Sequence, residues 1–260
     1  MSLAHAVVLG VLQGLTEFLP VSSSGHLVIL EHLLEIPPES RMAVVAVLHL
    51  GTAVALVVYF RQELSGIIMR TLARDPVRRR SGLEMVGHIC LASIPAALVG
   101  ILAESRIESL FASPVVVGPM LIVTGGFLFA TRFASDRGRV LDWRVAVLVG
   151  MAQAMAILPG ISRSGATIAM ALLLGLERER AFEFSFILSV PIVLAAAVKE
   201  LIGVDWSLVG SGALVVGVLG ALASGFGALV FLRRMVVGRR FFWFAFYCWA
   251  AGLAALLFVR

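Results

Sequence analysis

The chain has 260 residues, 60% of them hydrophobic and 14% charged, with a formal net charge of +5 and a mean hydropathy of +1.02. Soluble domains carry about 45–50% apolar and about 25% charged residues, so this composition excludes a secreted disulfide scaffold, a disordered tail and an ordinary cytosolic enzyme. The basic residues stand in short clusters between long apolar blocks, which fits orientation in a membrane better than nucleic-acid binding.

The first stretch, 3–35, is apolar at both ends but broken by Gln13, Glu17, Pro20, Ser22, Ser23, Ser24, Gly25 and His26. Each half is about 10–14 residues, or roughly 15–20 Å as helix, against a bilayer core of about 30 Å. It is predicted to enter the membrane and return on the same side. Spans follow at 43–60, 85–103 and 114–131, separated by the Arg-rich connection 61–82 and the connection 104–113. A second Arg-rich connection, 132–144, leads into 143–176, which is broken by Gln153, Pro159, Gly160, Ser162, Arg163, Ser164 and Gly165 and is predicted as a second re-entrant hairpin. Spans at 184–201, 208–231 and 241–259 complete the chain, with a third Arg-rich connection at 232–240. The connections around 36–42, 104–113 and 202–207 hold only Arg41 and Arg106. Six crossings and two re-entrant hairpins place every Arg-rich connection on one face, cytoplasmic by the positive-inside rule, with both termini outside. Were either hairpin a full span, the Arg-rich connections would fall on opposite faces. The N-terminus lacks a basic n-region, so no cleaved signal peptide is expected. Cys90 and Cys248 each lie inside an apolar block without metal spacing and read as packing.

Residues 13–26, QGLTEFLPVSSSGH, align without gaps with 153–166, QAMAILPGISRSGA, pairing Gln13 with Gln153, Ser22 with Ser162, Ser24 with Ser164 and Gly25 with Gly165. Each copy is followed by three predicted spans; three is odd, so the second copy is inverted. The expected fold class is all-α integral membrane, with two inverted-topology repeats (1–135 and 136–260) in one membrane domain. Its polar site is expected near the midplane, where the hairpin tips meet.

Ionisable groups inside a membrane are costly and by default mark a functional site. Together the tips would supply a carboxylate, an imidazole, several hydroxyls and a guanidinium. Arg presents a planar fork suited to phosphate oxygens, and helix N-termini favour anions. Ser or His can attack phosphorus, and His or Glu can move protons. The set suits a phosphorylated ligand. A structural reading stands beside each residue: Glu17 and Arg163 as a buried ion pair, His26 as a helix cap, the serines as small-residue helix contacts, and Gly and Pro as breakers. His49, Glu183 and Lys199 read as structural or snorkelling groups; His5, His32 and His88 carry no pattern.

The runs at 13–26 and at 159–167, PGISRSGAT, resemble the two signature motifs of the BacA-type undecaprenyl-diphosphate phosphatases, and EFSFILSVP at 183–191 and SIPAALVGI at 93–101 are also similar to that family. The resemblance covers essentially the whole chain. It implies a membrane enzyme of the bacterial cytoplasmic membrane that converts undecaprenyl diphosphate to the monophosphate, recycles the lipid carrier for cell-wall synthesis and confers bacitracin resistance. Its Glu/Gln-x-x-x-Glu motif maps to Gln13 and Glu17, its serine-glycine-histidine turn to Ser22, Ser23, Ser24, Gly25 and His26, and its Pro-Gly-x-Ser-Arg-Ser-x-x-Thr motif to Pro159, Gly160, Ser162, Arg163, Ser164 and Thr167. Stimulation by Mg²⁺ or Ca²⁺ is implied too; Gln13 in place of a second carboxylate argues for an ion shared with the diphosphate, held by Glu17.

On this reading Arg163 clamps the diphosphate, while Ser162, Ser164, Thr167 and the turn amides cradle its oxygens. Gln13, Ser22, Ser24, Gly25 and Gly160 are expected to help bind it. Ser23 is the candidate nucleophile, His26 the alternative nucleophile or a proton shuttle, and Glu17 orients or deprotonates one of them. The partners expected are a polyprenyl diphosphate and the bilayer, with no nucleic acid; a homodimer is compatible but nothing in the sequence selects it. The site is expected to open to the extracytoplasmic side. The rival reading is an inverted-repeat transporter or flippase for a phosphorylated lipid. An intramembrane Ser/His peptidase is disfavoured, because acyl transfer needs an oxyanion hole and not a phosphate clamp.

Overall fold

A computed structural model describes residues 3–27, 38–103, 110, 114–202 and 211–258. The arm of the first hairpin beyond residue 27, most of the connections 104–113 and 202–207, and His32 lie outside them, as do the side chains of Arg41 and Lys199. The α-helices are Leu3–Phe18 (α1), Pro38–Tyr59 (α2), Arg61–Thr71 (α3), Pro76–Leu102 (α4), Val117–Ala130 (α5), Trp143–Met155 (α6), Arg163–Leu173 (α7), Arg178–Ile202 (α8), Ser211–Val237 (α9) and Phe244–Phe258 (α10). A further helical turn covers 23–27. Among the described residues the only extended pairing is an isolated bridge between Arg139 and Leu176.

Pro76–Leu102, Arg178–Val198 and Gly212–Val237 are long and apolar enough to cross a bilayer, and Val44–Tyr59 with Arg61–Thr71, bent by 64°, makes a fourth if taken as one broken span. The chain is a multi-pass membrane protein. The segments predicted as spans at 114–131 and 241–259 form shorter helices, α5 of 14 residues and α10 of 15, extended by 3-10 turns at Pro114–Val116, Thr131–Phe133 and Phe241–Trp243.

Among the boundaries that differ from the sequence reading, two have a clear local reason. α4 begins nine residues before the predicted 85, because Asp75 caps it, accepting from the Val77 and Arg78 amides at 2.8 and 3.3 Å, with Pro76 in its first turn. The connection 61–82 is mostly helical: α3 turns Ile67 inward to a buried position and Leu64 against the core, leaving its charged side outward.

Close packing of small residues joins the helices. α1 lies on α9 and α6 on α4: a Cβ added to Gly10 would sit 2.5 Å from the Gly217 carbonyl oxygen, and one added to Gly150 would run into the Ala92 backbone. α5 crosses α10 reciprocally, since a Cβ on Gly118 would meet the Gly252 carbonyl at 3.0 Å and one on Gly252 the Gly118 carbonyl at 2.8 Å.

The described parts of the Arg-rich connections gather at one end. Asp136 pairs with Arg239 at 3.3 Å and Arg178 at 3.6 Å, Arg233 with Glu179 at 2.6 Å, and Met85 of α4 shares a cavity with Gly138 and Arg180. At the same end the Tyr59 ring, just before α3, meets Phe226 at 5.5 Å and Phe182 at 6.2 Å.

Candidate active site

The first tip is a turn that proline starts and an unusual residue completes. α1 ends at Phe18, and Pro20, which has no amide hydrogen, follows. Ser22 then adopts φ 69°, the left-handed region that residues with a Cβ rarely occupy. The chain re-enters helix at 23–27, which places Ser23, Ser24 and His26 on one turn. Ser22 Oγ and Ser24 Oγ lie 3.3 Å apart.

The second tip joins α6 to α7 through Gly160, whose φ of 95° and 2.7 Å approach of the Val117 carbonyl to its missing Cβ both demand glycine. Ser162 caps α7, accepting from the Gly165 amide at 3.1 Å, and its Oγ lies 3.2 Å from Ser164 Oγ. Thr124 of α5 holds this turn from outside. Its hydroxyl donates to the Gly160 carbonyl at 3.0 Å and accepts from the Ser162 amide at 3.2 Å. Replacing Thr124 by valine keeps the shape but orphans both buried groups; the expected loss is about 1–3 kcal/mol, read as a lowered unfolding temperature of the detergent-solubilised variant.

The tips meet at Glu17. Arg163 Nη2 donates to its Oε1 at 2.6 Å, while Ser23 Oγ at 2.8 Å and Gln13 Nε2 at 3.2 Å donate to its Oε2. The Arg163 and Glu17 side chains are 20% and 12% exposed, so the pair is mostly withdrawn from solvent. Glu17, Ser22, Ser23, Ser24, Ser162 and Arg163 line a cavity of about 90 Å³ that Thr16, Ala156 and Ile161 complete. Ser23 is thus the hydroxyl that the structure sets against a carboxylate in the cavity wall.

The other residues singled out in the sequence stand behind this wall. Gln13 is fully buried, with Oε1 lacking a partner. Thr167 donates to the Arg163 carbonyl at 2.9 Å, and Gly25 packs against Val117. His26 does not line the polar cavity: Nδ1 meets the Ser22 carbonyl at 2.8 Å and Nε2 meets the Tyr247 hydroxyl at 2.6 Å. Thr16, which lines the cavity, Thr124, which bonds the second turn, and Tyr247, which bonds His26, are residues the sequence reading missed. Each is a common residue inside an apolar run, and each reaches the site only through the fold.

The site lies deep. A Cβ on Gly225 of α9 would touch the Phe18 ring at 2.9 Å, and Gly225 is about 21 Å along α9 from Ser211 and about 18 Å from Val237 at 1.5 Å per residue. Beside it an apolar groove of about 450 Å³ runs between α1, α9 and α10, lined by Leu15, Leu19, Phe231, Phe244 and Tyr247 among others. Thr16 belongs to both spaces. A charged head and an apolar chain could occupy them together.

Among the described residues no group of three or more His, Cys, Asp or Glu side chains is placed to hold a metal. Glu17 is the one carboxylate lining the cavity. One carboxylate among hydroxyls suits a hard cation, Mg²⁺ or Ca²⁺, only where ligand oxygens and water fill most of its positions.

Compared with known proteins, residues 6–254 match the family described as Bacitracin resistance protein BacA. The chain is 42% identical over 267 residues to an undecaprenyl-diphosphatase of Desulfosudis oleivorans, covering 95% of each chain. It is 38% identical to one of Desulforapulum autotrophicum, covering 99% of this chain and 98% of that one. With one of Korarchaeum cryptofilum the identity is 37%, covering 98% of this chain and 99% of the relative.

Proposed function

The chain belongs to the BacA family, and from that premise we propose that it is an undecaprenyl-diphosphate phosphatase, hydrolysing undecaprenyl diphosphate to undecaprenyl phosphate and inorganic phosphate. The observation that carries this is the joining of the two tips by Ser23, Glu17 and Arg163 in one cavity beside an apolar groove. The lipid chain lies in the groove and the diphosphate in the cavity. Arg163, at the first position of α7, offers its guanidinium fork to the terminal phosphate, and Ser22, Ser24, Ser162 and the α7 N-terminus add donors. Gln13, Gly25, Gly160, Ser164 and Thr167 support these groups from behind.

Glu17 takes the Ser23 proton as Ser23 Oγ bonds to the terminal phosphorus. The bond from that phosphorus to the bridging oxygen breaks, and undecaprenyl phosphate leaves. Water then cleaves the phosphoserine, releasing phosphate and returning the proton to Ser23. His26, held on both nitrogens away from the cavity, is not placed to attack. A divalent cation arriving with the diphosphate would find Glu17 as its protein carboxylate and, when bound, would neutralise phosphate charge. Every protein group invoked here belongs to one chain. No observation favours the transporter reading.

The proposal includes six crossings, two re-entrant hairpins and inverted repeats. Equivalent pairs support the repeat: Gly10 and Gly150, 140 residues apart as Gln13 and Gln153 are, both admit a neighbouring helix, and Ser22–Ser24 is matched by Ser162–Ser164. The Gly118–Gly252 crossing is reciprocal, as a twofold axis requires. The Arg139–Leu176 bridge closes the base of the second hairpin. With its flanking 3-10 turns α5 runs from Pro114 to Phe133, long enough with snorkelling ends to cross. The clustering of the Arg-rich connections supports a cytoplasmic location for them, in the inner membrane of a bacterium, with both termini and the site's opening on the other side. Recycling of the carrier lipid and bacitracin resistance follow from the same activity.

Phosphate release from undecaprenyl diphosphate by the purified protein in detergent tests the activity; no release overturns it. For topology, an impermeant thiol reagent on intact cells is expected to label a single cysteine placed at 104–113 and to spare one at 76–82. The reverse pattern rejects the orientation.

A further inference from the structure

Resting on the phosphatase reading, we propose that Tyr247 is a positioning residue: through His26 it holds the left-handed turn at Ser22 that presents the Ser23 hydroxyl to Glu17. The Ser22 carbonyl can only accept a hydrogen bond, so the Nδ1 atom 2.8 Å from it carries the imidazole proton. In the neutral imidazole Nε2 then holds the lone pair, and the Tyr247 hydroxyl, 2.6 Å away, donates to it. The two rings stack with centroids 5.8 Å apart and planes 15° from parallel. Both ring nitrogens of His26 are spent on this chain of contacts, which runs from the last helix, 221 residues away in sequence, to the backbone of the first tip.

The turn needs such a restraint. Ser22 stands at φ 69°, a conformation its Cβ disfavours. α10 grips the turn at two points: the next residue, Cys248, donates its thiol to the Pro20 carbonyl at 3.2 Å, and Tyr247 secures the Ser22 carbonyl through His26. Beyond these anchors the chain emerges with Ser23 facing Glu17, at 2.8 Å. Tyr247 and His26 also line the apolar groove and not the polar cavity, so their part in the reaction is to fix the neighbour that reacts.

Tyr247→Phe deletes the hydroxyl and keeps the stacked ring. In detergent, with undecaprenyl diphosphate as substrate, kcat is expected to fall about ten-fold, the worth of one good hydrogen bond, with KM unchanged. In ¹⁵N-histidine spectra of the wild-type protein, assigned by difference from His26→Gln, His26 is expected as the Nδ1-protonated tautomer with Nε2 accepting. An unchanged kcat in Tyr247→Phe overturns the proposal. So does a loss confined to KM, which would make Tyr247 a wall for the lipid chain, or an Nε2-protonated His26. Failure of the phosphatase reading looks different: wild-type protein would release no phosphate while the spectra still showed the Nδ1-protonated ring.

Discussion

Arg163→Lys is expected to lose roughly 10²–10³ in kcat, the usual cost of removing one well-placed donor from a developing charge, while the protein still folds and inserts. Lysine keeps the positive charge beside Glu17 but replaces a planar fork by a point charge on a flexible stem. In the resting structure one arm of that fork, Nη2, is committed to Glu17 Oε1 at 2.6 Å. The remaining donors stay available to a ligand in the cavity that Arg163 lines. An ammonium group cannot hold both partners in the same geometry. Turnover by purified Arg163→Lys, set beside its unfolding temperature, decides the matter. Near-normal kcat with a lowered unfolding temperature would make Arg163 a tie between the tips and nothing more.

Ser23→Ala and Glu17→Gln are each expected to come close to abolishing hydrolysis, and the double variant to be little worse than the poorer single one. A hydroxyl nucleophile and its base act as one unit, and units of this kind show losses that do not add. The structural ground is the 2.8 Å contact from Ser23 Oγ to Glu17 Oε2. Single-turnover rates, with acid quench to trap an intermediate, supply the test. An acid-stable phosphoserine supports the assignment. An acid-labile, base-stable adduct would transfer the nucleophile's role to His26. Substantial turnover in Ser23→Ala with no adduct of any kind would favour direct attack by water. Gln13→Ala should be milder than either, since its amide orients Glu17 and carries no proton.

The two tips were legible in the sequence because their residues have no business in an apolar chain: Glu17, His26 and Arg163, each next to a serine or glycine turn, stand out against the segments around them. The meeting of the tips followed from counting spans, and the 2.6 Å contact between residues 146 apart agrees with it. The start of α4 was not legible, since Asp75 and Pro76 precede a run of arginines that reads as a connection until the cap is seen. Nor were Thr124 and Tyr247. A threonine among Val, Leu and Gly, or a tyrosine among Phe and Trp, becomes informative only when folding brings it to a carbonyl 36 residues away or an imidazole 221 residues away. His26 shows the limit from the other side. Its residue type marked it as chemically able, and only geometry shows both its nitrogens already engaged.

The burial of the Glu17–Arg163 pair also separates it from the exposed ion pairs among the described residues in its response to ionic strength. Between 0.1 and 1 M salt the screening length contracts from about 10 Å to about 3 Å. Arg80–Glu84, at 84% and 56% exposed, and Arg233–Glu179, at 51% and 29%, are open to that screening, whereas the tip pair sits at 20% and 12%. Added salt should therefore weaken these surface pairs while leaving the Glu17–Arg163 contact largely intact. In detergent, kcat should stay level across this range, while any preference of the reconstituted protein for anionic lipid fades.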